Sequence, residues 1–366
     1  MDCSGTQEGK DLNFLSKFQK LLAASAADAI LLTDVLTRRY AAGYNISDGL
    51  AAVSEHECCY WTDFRYTEDA ERNLEGFRVM AVDREVSYLQ RLKEFIARND
   101  VKSLGIEESA VSAGDYCRYR DELNVELIPM QKEISALRAV KAQWELDHII
   151  EAQRITDRAF SSVLEIIRPG MTERQLRAEL ICLLYRCGAE GPSFSPIVIS
   201  GPNTSLPHGV AGDRVLQKGD FVTMDFGCRI SGYCSDMTRT VALGAADDEM
   251  RLVYETVLRA QLAGLEATKA GVTGCSVDAA ARKVIADAGF GEHFGHGYGH
   301  GIGLAVHEQP NCSPSWKEPL PAGCICSAEP GIYLPGKFGV RIEDMVFVKE
   351  NGVLNLTASP KNLIIV

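Results

Sequence analysis

Four carboxylates and one imidazole, scattered through the second half of the chain, constrain its folding more than any other feature. Asp225 and Asp236 lie in MDFGCRISGYCSDMTRT (224–240), His300 in HGYGHGIGLAVHEQP (296–310), Glu329 in AEPGIY (328–333) and Glu343 in GVRIED (339–344). Each sits where a strand or a glycine-rich turn would hold its side chain rigidly. A carboxylate set in an apolar run such as FVTMDFG is costly to bury unless a cation or several donors meet it. Oxygen-rich ligation with a single nitrogen suits a pair of hard or borderline divalent cations, manganese ahead of zinc. Two such ions close together can share a water, make it hydroxide-like near neutral pH and polarise a carbonyl. The residues by themselves therefore point to hydrolysis at paired metal ions.

Each element also has a plainer reading. Asp225 and Asp236 flank Ser231–Gly232, which is turn material, so a hairpin would set them on neighbouring strands. Taken alone, they read as two surface aspartates near a turn. The segment GHGYGHGIG (295–303) carries no GK[ST] and no correctly spaced G-x-G-x-x-G, which excludes a phosphate loop. Its glycines instead let backbone approach a site closely, with His296 and His300 projecting from it and His307 following in VHE. Three of the seven histidines thus fall between 296 and 307. Glu343 alternates with Arg341, so both side chains face one way on a strand. Arg341 would then orient a carboxylate by charge-assisted hydrogen bonding. The competing reading is an exposed salt bridge.

At 366 residues the chain exceeds a usual single core, and two domains are expected. No run of about 18 apolar residues is present, which argues against a membrane-spanning helix. The opening MDCSGTQEGK is polar and lacks the order of a secretion signal, so the cytoplasm is the expected compartment. Fifty acidic against 38 basic residues give a net charge of −12, which disfavours nucleic acid as a partner. The 12 cysteines form no C-x-x-C pair, so zinc ribbons and thioredoxin-type sites find no support. They are expected to be reduced, small, buried apolar residues. Cys228 and Cys234 lie near the metal strands and are candidates for oxidation.

A polar tail over 1–10 precedes a region, 11–130, in which strand-like runs alternate with helical ones. AILLTDVLTRRYAAGY (29–44), ECCYWTDFRYTEDA (57–70), EGFRVMAV (75–82) and KSLGIEES (102–109) read as strands leading into helices such as EVSYLQRLKEFIARND (85–100). That alternation predicts an α/β domain. A boundary is expected within 129–140, with a second domain over 131–366. The stretch 131–170 has helical periodicity throughout, and Pro169–Gly170 stops it. Thr172 with Gln175 forms a capping box for a second helix ending near Gly188. Beyond residue 193, strands at 195–200, 220–228, 232–244, 324–334 and 340–348 surround helices at 247–270 and 276–289. Strand pairs separated by helix pairs predict α+β, with a curved, mostly antiparallel sheet backed by helices.

The motifs jointly resemble the pita-bread metallopeptidases of the Xaa-Pro aminopeptidase (aminopeptidase P) and Xaa-Pro dipeptidase (prolidase) type. The resemblance covers about 140–366 through HG at 208–209, SDMTRT, GHG, VHE, EPG and RIED. Through LTD (32–34), TDFRY (62–66) and LRAVK it extends to the creatinase-like N-terminal domain of the proline-directed branch. It implies two divalent ions, Mn²⁺ before Zn²⁺ or Co²⁺, with Asp225 chelating one and His300 and Glu329 completing the other. Asp236 and Glu343 would bridge the two. Glu329 would also move the proton, while His208, His296 and His307 would contact substrate and assist the intermediate; Arg341 counts with these catalytic residues through the carboxylate it orients. The expected activity is removal of an N-terminal residue that precedes proline. Xaa-Pro dipeptidase is the alternative, and a metal-free creatinase-like amidinohydrolase the remote one. A peptide substrate and a homodimer are the expected partners.

Overall fold

The computed structural model describes residues 14–366; the polar tail expected over 1–10 lies outside the described residues. The chain forms two compact units that divide between Arg138 and Ala139. Among the described residues, no helix is long and apolar enough to cross a membrane.

The first unit runs α1 (Phe14–Ala23), β1 (Ala29–Leu32), α2 (Val35–Ala42), β2 (Leu50–Ser54), β3 (Cys58–Asp63), α3 (Thr67–Asn73), β4 (Arg78–Val82), α4 (Tyr88–Arg98), β5 (Ser103–Ile106), α5 (Ala113–Glu122), β6 (Glu126–Pro129) and α6 (Gln131–Ala136). Its six strands form one sheet in the order β4-β3-β2-β1-β5-β6. β1 is AILL, buried at every position, as suits a strand covered on both faces. Asp34 ends it and caps α2, its carboxylate accepting from Leu36 N and Thr37 N at 3.0 and 2.9 Å. Gly43, at φ 67°, supplies the left-handed residue that closes that helix. The expected alternation of strands and helices is present.

The second unit opens with α7 (Gln143–Leu164), α8 (Glu173–Arg186), β7 (Gly191–Pro192), β8 (Ile197–Ser200), β9 (Phe221–Phe226), β10 (Cys228–Ile230), β11 (Tyr233–Cys234) and β12 (Met237–Ala242). It continues with α9 (Asp248–Ala267), α10 (Gly274–Asp287), β13 (Gly299–Gly301), β14 (Glu308–Cys312), β15 (Ile325–Ala328), β16 (Gly331–Leu334), β17 (Phe338–Arg341), β18 (Asp344–Lys349) and β19 (Gly352–Asn355). Every strand pair here is antiparallel, as expected. The strands divide into two three-stranded sheets, β11-β10-β7 and β12-β9-β8, a five-stranded one, β14-β13-β15-β18-β19, and the β16–β17 hairpin. One apolar core collects Phe160 of α7 and Leu176 and Leu180 of α8 with Val222 and Met224 of β9. A second collects Val253 and Val257 of α9 and Val277 and Ala281 of α10 with Cys326 of β15 and Val346 of β18. Two helix pairs thus back two sets of strands.

One expectation fails. The continuous helix predicted over 131–170 is instead α6 and α7, interrupted at 137–142. Periodicity could not register what breaks it. Lys141 is drawn into the interior, its ammonium 2.5 Å from the buried Glu308 carboxylate and its N–H donating to Gly323 O. Helix restarts only at Ala142, whose N–H is capped by Glu145 at 2.8 Å. The Thr172–Gln175 capping box forms as predicted, with reciprocal bonds of 2.9 and 3.1 Å.

Candidate metal centre

The five candidate ligands reach one cavity from separate strands of the second unit. Asp225 lies near the end of β9, opposite Thr238 of β12. Asp236 directly precedes β12, and the hairpin between the two aspartates turns at Ser231 and Gly232, with φ of 48° and 79°. His300 is the middle residue of β13, Glu329 follows β15, and Glu343 sits between β17 and β18. With His208, His296, His307 and Arg341, all five line a cavity of about 410 Å³. Asp236, His300 and Glu343 each offer an atom within 4.8 Å of the others. His300 Nε2 also lies 3.2 Å from Glu329 Oε1 and 3.7 Å from Asp236 Oδ2.

Three of the four carboxylates are held through one oxygen. Arg341 Nη2 donates to Asp225 Oδ2 at 2.6 Å, and Thr238 Oγ1 donates to Glu343 Oε2 at 2.7 Å. Ser327 joins two of the candidate ligands: its hydroxyl accepts from His300 N at 3.0 Å and donates to Glu329 Oε1 at 3.1 Å. Among the described residues, Asp225 Oδ1, Asp236 Oδ1 and Glu343 Oε1 are buried and meet no hydrogen-bond donor. Buried carboxylate oxygens without donors are costly, and three in one cluster with an imidazole form an oxygen-rich donor set suited to divalent cations. The residues fit the metal ions that the sequence predicts.

Electrostatics agree. Burial, reinforced by Glu343 and Asp225, drives the Asp236 carboxyl well above its ordinary range. Burial, then Glu329 and Asp225, do the same to Glu343. Burial also raises Asp225, against the opposing guanidinium of Arg341. Glu329 behaves oppositely: burial opposes ionisation, but the hydrogen bond and charge of His300 prevail and hold it at about 2. The His300 imidazole, disfavoured as a cation by burial, is lifted by Glu329 to about 9. Four acids this close cannot all ionise unless positive charge joins them.

The remaining candidates surround this cluster. Every nitrogen of the Arg341 guanidinium donates, Nε to Thr238 Oγ1 at 3.0 Å, Nη1 to Tyr333 OH at 2.9 Å and Pro207 O at 3.2 Å, and Nη2 to Asp225. Arg341 is buried and holds the Asp225 carboxylate, so the competing reading of an exposed salt bridge fails. His296 Nε2 lies 2.9 Å from the same Tyr333 hydroxyl, and the His307 ring meets that of His300 at 4.2 Å. His208 is exposed at the cavity wall. Tyr333, Ser327 and Thr238 were not singled out in the sequence, yet two carried a readable sign. Ser327 and Thr238 stand two residues from Glu329 and Asp236 and so share a strand face with them. Tyr333 carried no such sign.

Backbone contacts set the floor of the site. A Cβ at Gly299 would stand 2.0 Å from Ser327 O, and one at Gly301 2.5 Å from Gln309 O. At Gly227 it would stand 1.8 Å from Ser235 O. The strands carrying the candidate ligands therefore touch main chain to main chain.

Known proteins resemble this chain along most of its length. Residues 147–350 match metallopeptidase family M24, and residues 15–140 match the creatinase/prolidase N-terminal domain. An uncharacterised peptidase of Bacillus subtilis is 39% identical over 352 residues, covering 96% of this chain and 99% of that protein. The solved Xaa-Pro dipeptidase of Bacillus anthracis superposes with a TM-score of 0.93 at 38% identity, covering 96% of this chain and 99% of the other. The X-Pro aminopeptidase structure from Thermotoga maritima gives 0.87 at 37%, covering 95% and 100%. Cavity and matches lead to one conclusion: this chain is a peptidase of metallopeptidase family M24, with the pita-bread fold of that family behind a creatinase/prolidase N-terminal domain.

Proposed function

We propose that the chain is a dinuclear metallo-aminopeptidase that removes the N-terminal residue from peptides with proline in second position. Two divalent ions, manganese before zinc or cobalt, held by Asp225, Asp236, His300, Glu329 and Glu343, would supply Lewis acidity and an activated water at the scissile carbonyl. Glu329 is the group to hold the transferred proton and deliver it to the departing proline nitrogen. Its contact with His300 and the Ser327 hydroxyl keeps the carboxylate aimed into the cavity. His307 would hydrogen-bond the substrate carbonyl, while His296, braced by Tyr333, and His208 position the peptide. Arg341 would act by holding Asp225 in place. Proline offers no N–H and a fixed φ, so recognition rests on the shape of a pocket walled by Phe194, Ile197 and Val306.

The preference for aminopeptidase over dipeptidase rests on one observation. Arg341 is the only Lys or Arg among the described residues lining the cavity, and each of its three nitrogens already donates within the protein. An Xaa-Pro dipeptide carries a carboxylate that needs a fixed cation, whereas a longer peptide presents a neutral amide there. Xaa-Pro dipeptidase remains the second reading, since relatives bearing that name match along most of the chain. Hydrolysis of Xaa-Pro and Xaa-Pro-Yaa peptides, compared in Mn²⁺-supplemented buffer, decides between them. Cleavage confined to the dipeptide would reverse the preference. Activity surviving exhaustive chelation would restore the metal-free amidinohydrolase reading. The same proposal includes a cytoplasmic homodimer, which sedimentation and cell fractionation test.

A further inference from the structure

Outside the cavity, α10 carries an ion pair that reaches well beyond its own helix. Asp278 is 1% exposed. Its carboxylate receives Arg282 Nε at 2.7 Å and Nη2 at 2.9 Å. An i,i+4 pair on a helix is usually a solvated ornament. Here both partners also grip the segment that leads into β13. Arg282 Nη1 donates to Phe294 O at 2.8 Å and Nη2 to His296 O at 2.7 Å. Asp278 Oδ1 accepts from Tyr298 N at 2.9 Å. The guanidinium lies over the Phe294 ring, 4.1 Å from its centroid, and that ring meets His296 edge-on.

The segment so gripped is a rail to the cavity. Tyr298 O accepts from Glu329 N at 2.8 Å, and His300 N donates to the Ser327 hydroxyl that also contacts Glu329. A shift of the 294–298 backbone would therefore displace His296, His300 and Glu329 together. We propose that Asp278 and Arg282 are positioning residues: they fix the register of this backbone and so aim His296 and His300 into the cavity. The inference rests on the reading of His300 as a metal ligand and His296 as a substrate contact.

The test uses the full chain carrying Arg282→Met, Asp278→Asn, both together, Arg282→Lys, and Lys283→Met as a control. Lys283 pairs with Asp287 on the exposed side of the same helix. Mn²⁺ affinity is measured by titration calorimetry on chelated protein, kcat and KM on an Xaa-Pro-Yaa peptide, and stability by the urea midpoint. Arg282→Met and Asp278→Asn are each expected to weaken Mn²⁺ binding about tenfold or more, as loss of groups that orient ligands does. Both should lower kcat about tenfold with KM changed far less, and the double variant should be no worse than the poorer single one. Lys283→Met should match the parent. A merely structural pair would lower the urea midpoint while the folded protein kept parental Mn²⁺ affinity and kcat, and that result would overturn the inference. Should Arg282→Met fail to fold, Arg282→Lys carries the test, because it keeps the charge but not the fork. Parental kcat and Mn²⁺ affinity in Arg282→Lys would overturn the inference; a partial loss of both supports it. His300→Ala, measured in parallel, separates the two levels: parental Mn²⁺ affinity there would sink the metal-site reading, and this inference with it.

Discussion

Arg239→Met probes how the second unit holds the backbone of Glu343. Arg239 is 1% exposed, and its guanidinium meets Asp344 Oδ1 at 2.7 Å. It also donates to Thr238 O at 2.9 Å, Ser359 O at 2.8 Å, Pro360 O at 3.0 Å and Glu343 O. Removing one partner of a buried ion pair costs about 3–5 kcal/mol, because the other charge is left stranded. Asp344 would not be wholly stranded: Lys361 Nζ lies 2.8 Å away, and Gln261 and Asn355 donate to the same carboxylate. The low end, about 3 kcal/mol, is therefore expected. With a urea slope near the upper end for single domains, about 3 kcal/mol/M, the midpoint should fall by about 1 M. The measurement belongs on chelated protein, so that ion binding does not add to the apparent stability. Adding Asp344→Asn to Arg239→Met removes the stranded charge and should cost little more. A midpoint shift below about 0.3 M in Arg239→Met, with unchanged slope, would refute the reasoning.

Three further outcomes follow from particular contacts. Asp236→Asn should lower metal content and reduce turnover at least about a hundredfold, since even groups behind a ligand cost tenfold to a hundredfold; elemental analysis and steady-state kinetics check both. Thiol reagents at neutral pH should modify Cys117 and Cys182, the exposed cysteines among the described residues, and spare Cys234. Burial lifts that thiol to about 12. Peptide mapping by mass spectrometry reads the pattern, and early labelling of Cys234 would contradict it. In the first unit, the N–H groups of Lys102 and Ser103 hold the Asp28 carboxyl below its ordinary range. A depressed carboxylate contributes stability above the unfolded value of about 3.9, and that contribution is lost as pH falls through the folded value. Asp28→Asn should therefore be less stable than the parent at pH 5, with the gap in urea midpoint narrowing toward pH 3.

What the sequence made legible was whatever depends on neighbours along the chain. The Thr172–Gln175 capping box, the Ser231–Gly232 turn and the strand at β1 are local, and all three formed as read. The candidate ligands stood out because acids in apolar surroundings are costly, and the structure gathers them into one cavity. What escaped depends on partners distant in the chain. Lys141 breaks a periodic helix because Glu308 waits far downstream. β2, LAAVS, carries no strong strand signal and is recruited by pairing with β1 and β3. Tyr333 gains its place from Arg341 and His296, and the reach of Arg282 appears only once α10 packs beside residues 294–298.

The bare contacts at Gly227, Gly299 and Gly301 bear on anyone wishing to redesign this enzyme. Where main chains already touch, even a methyl group has nowhere to go, so saturation libraries at those positions should return mostly inactive clones. Variation in substrate choice has to come from the walls, where Phe194 and Val306 stand outside the strands that carry the candidate ligands.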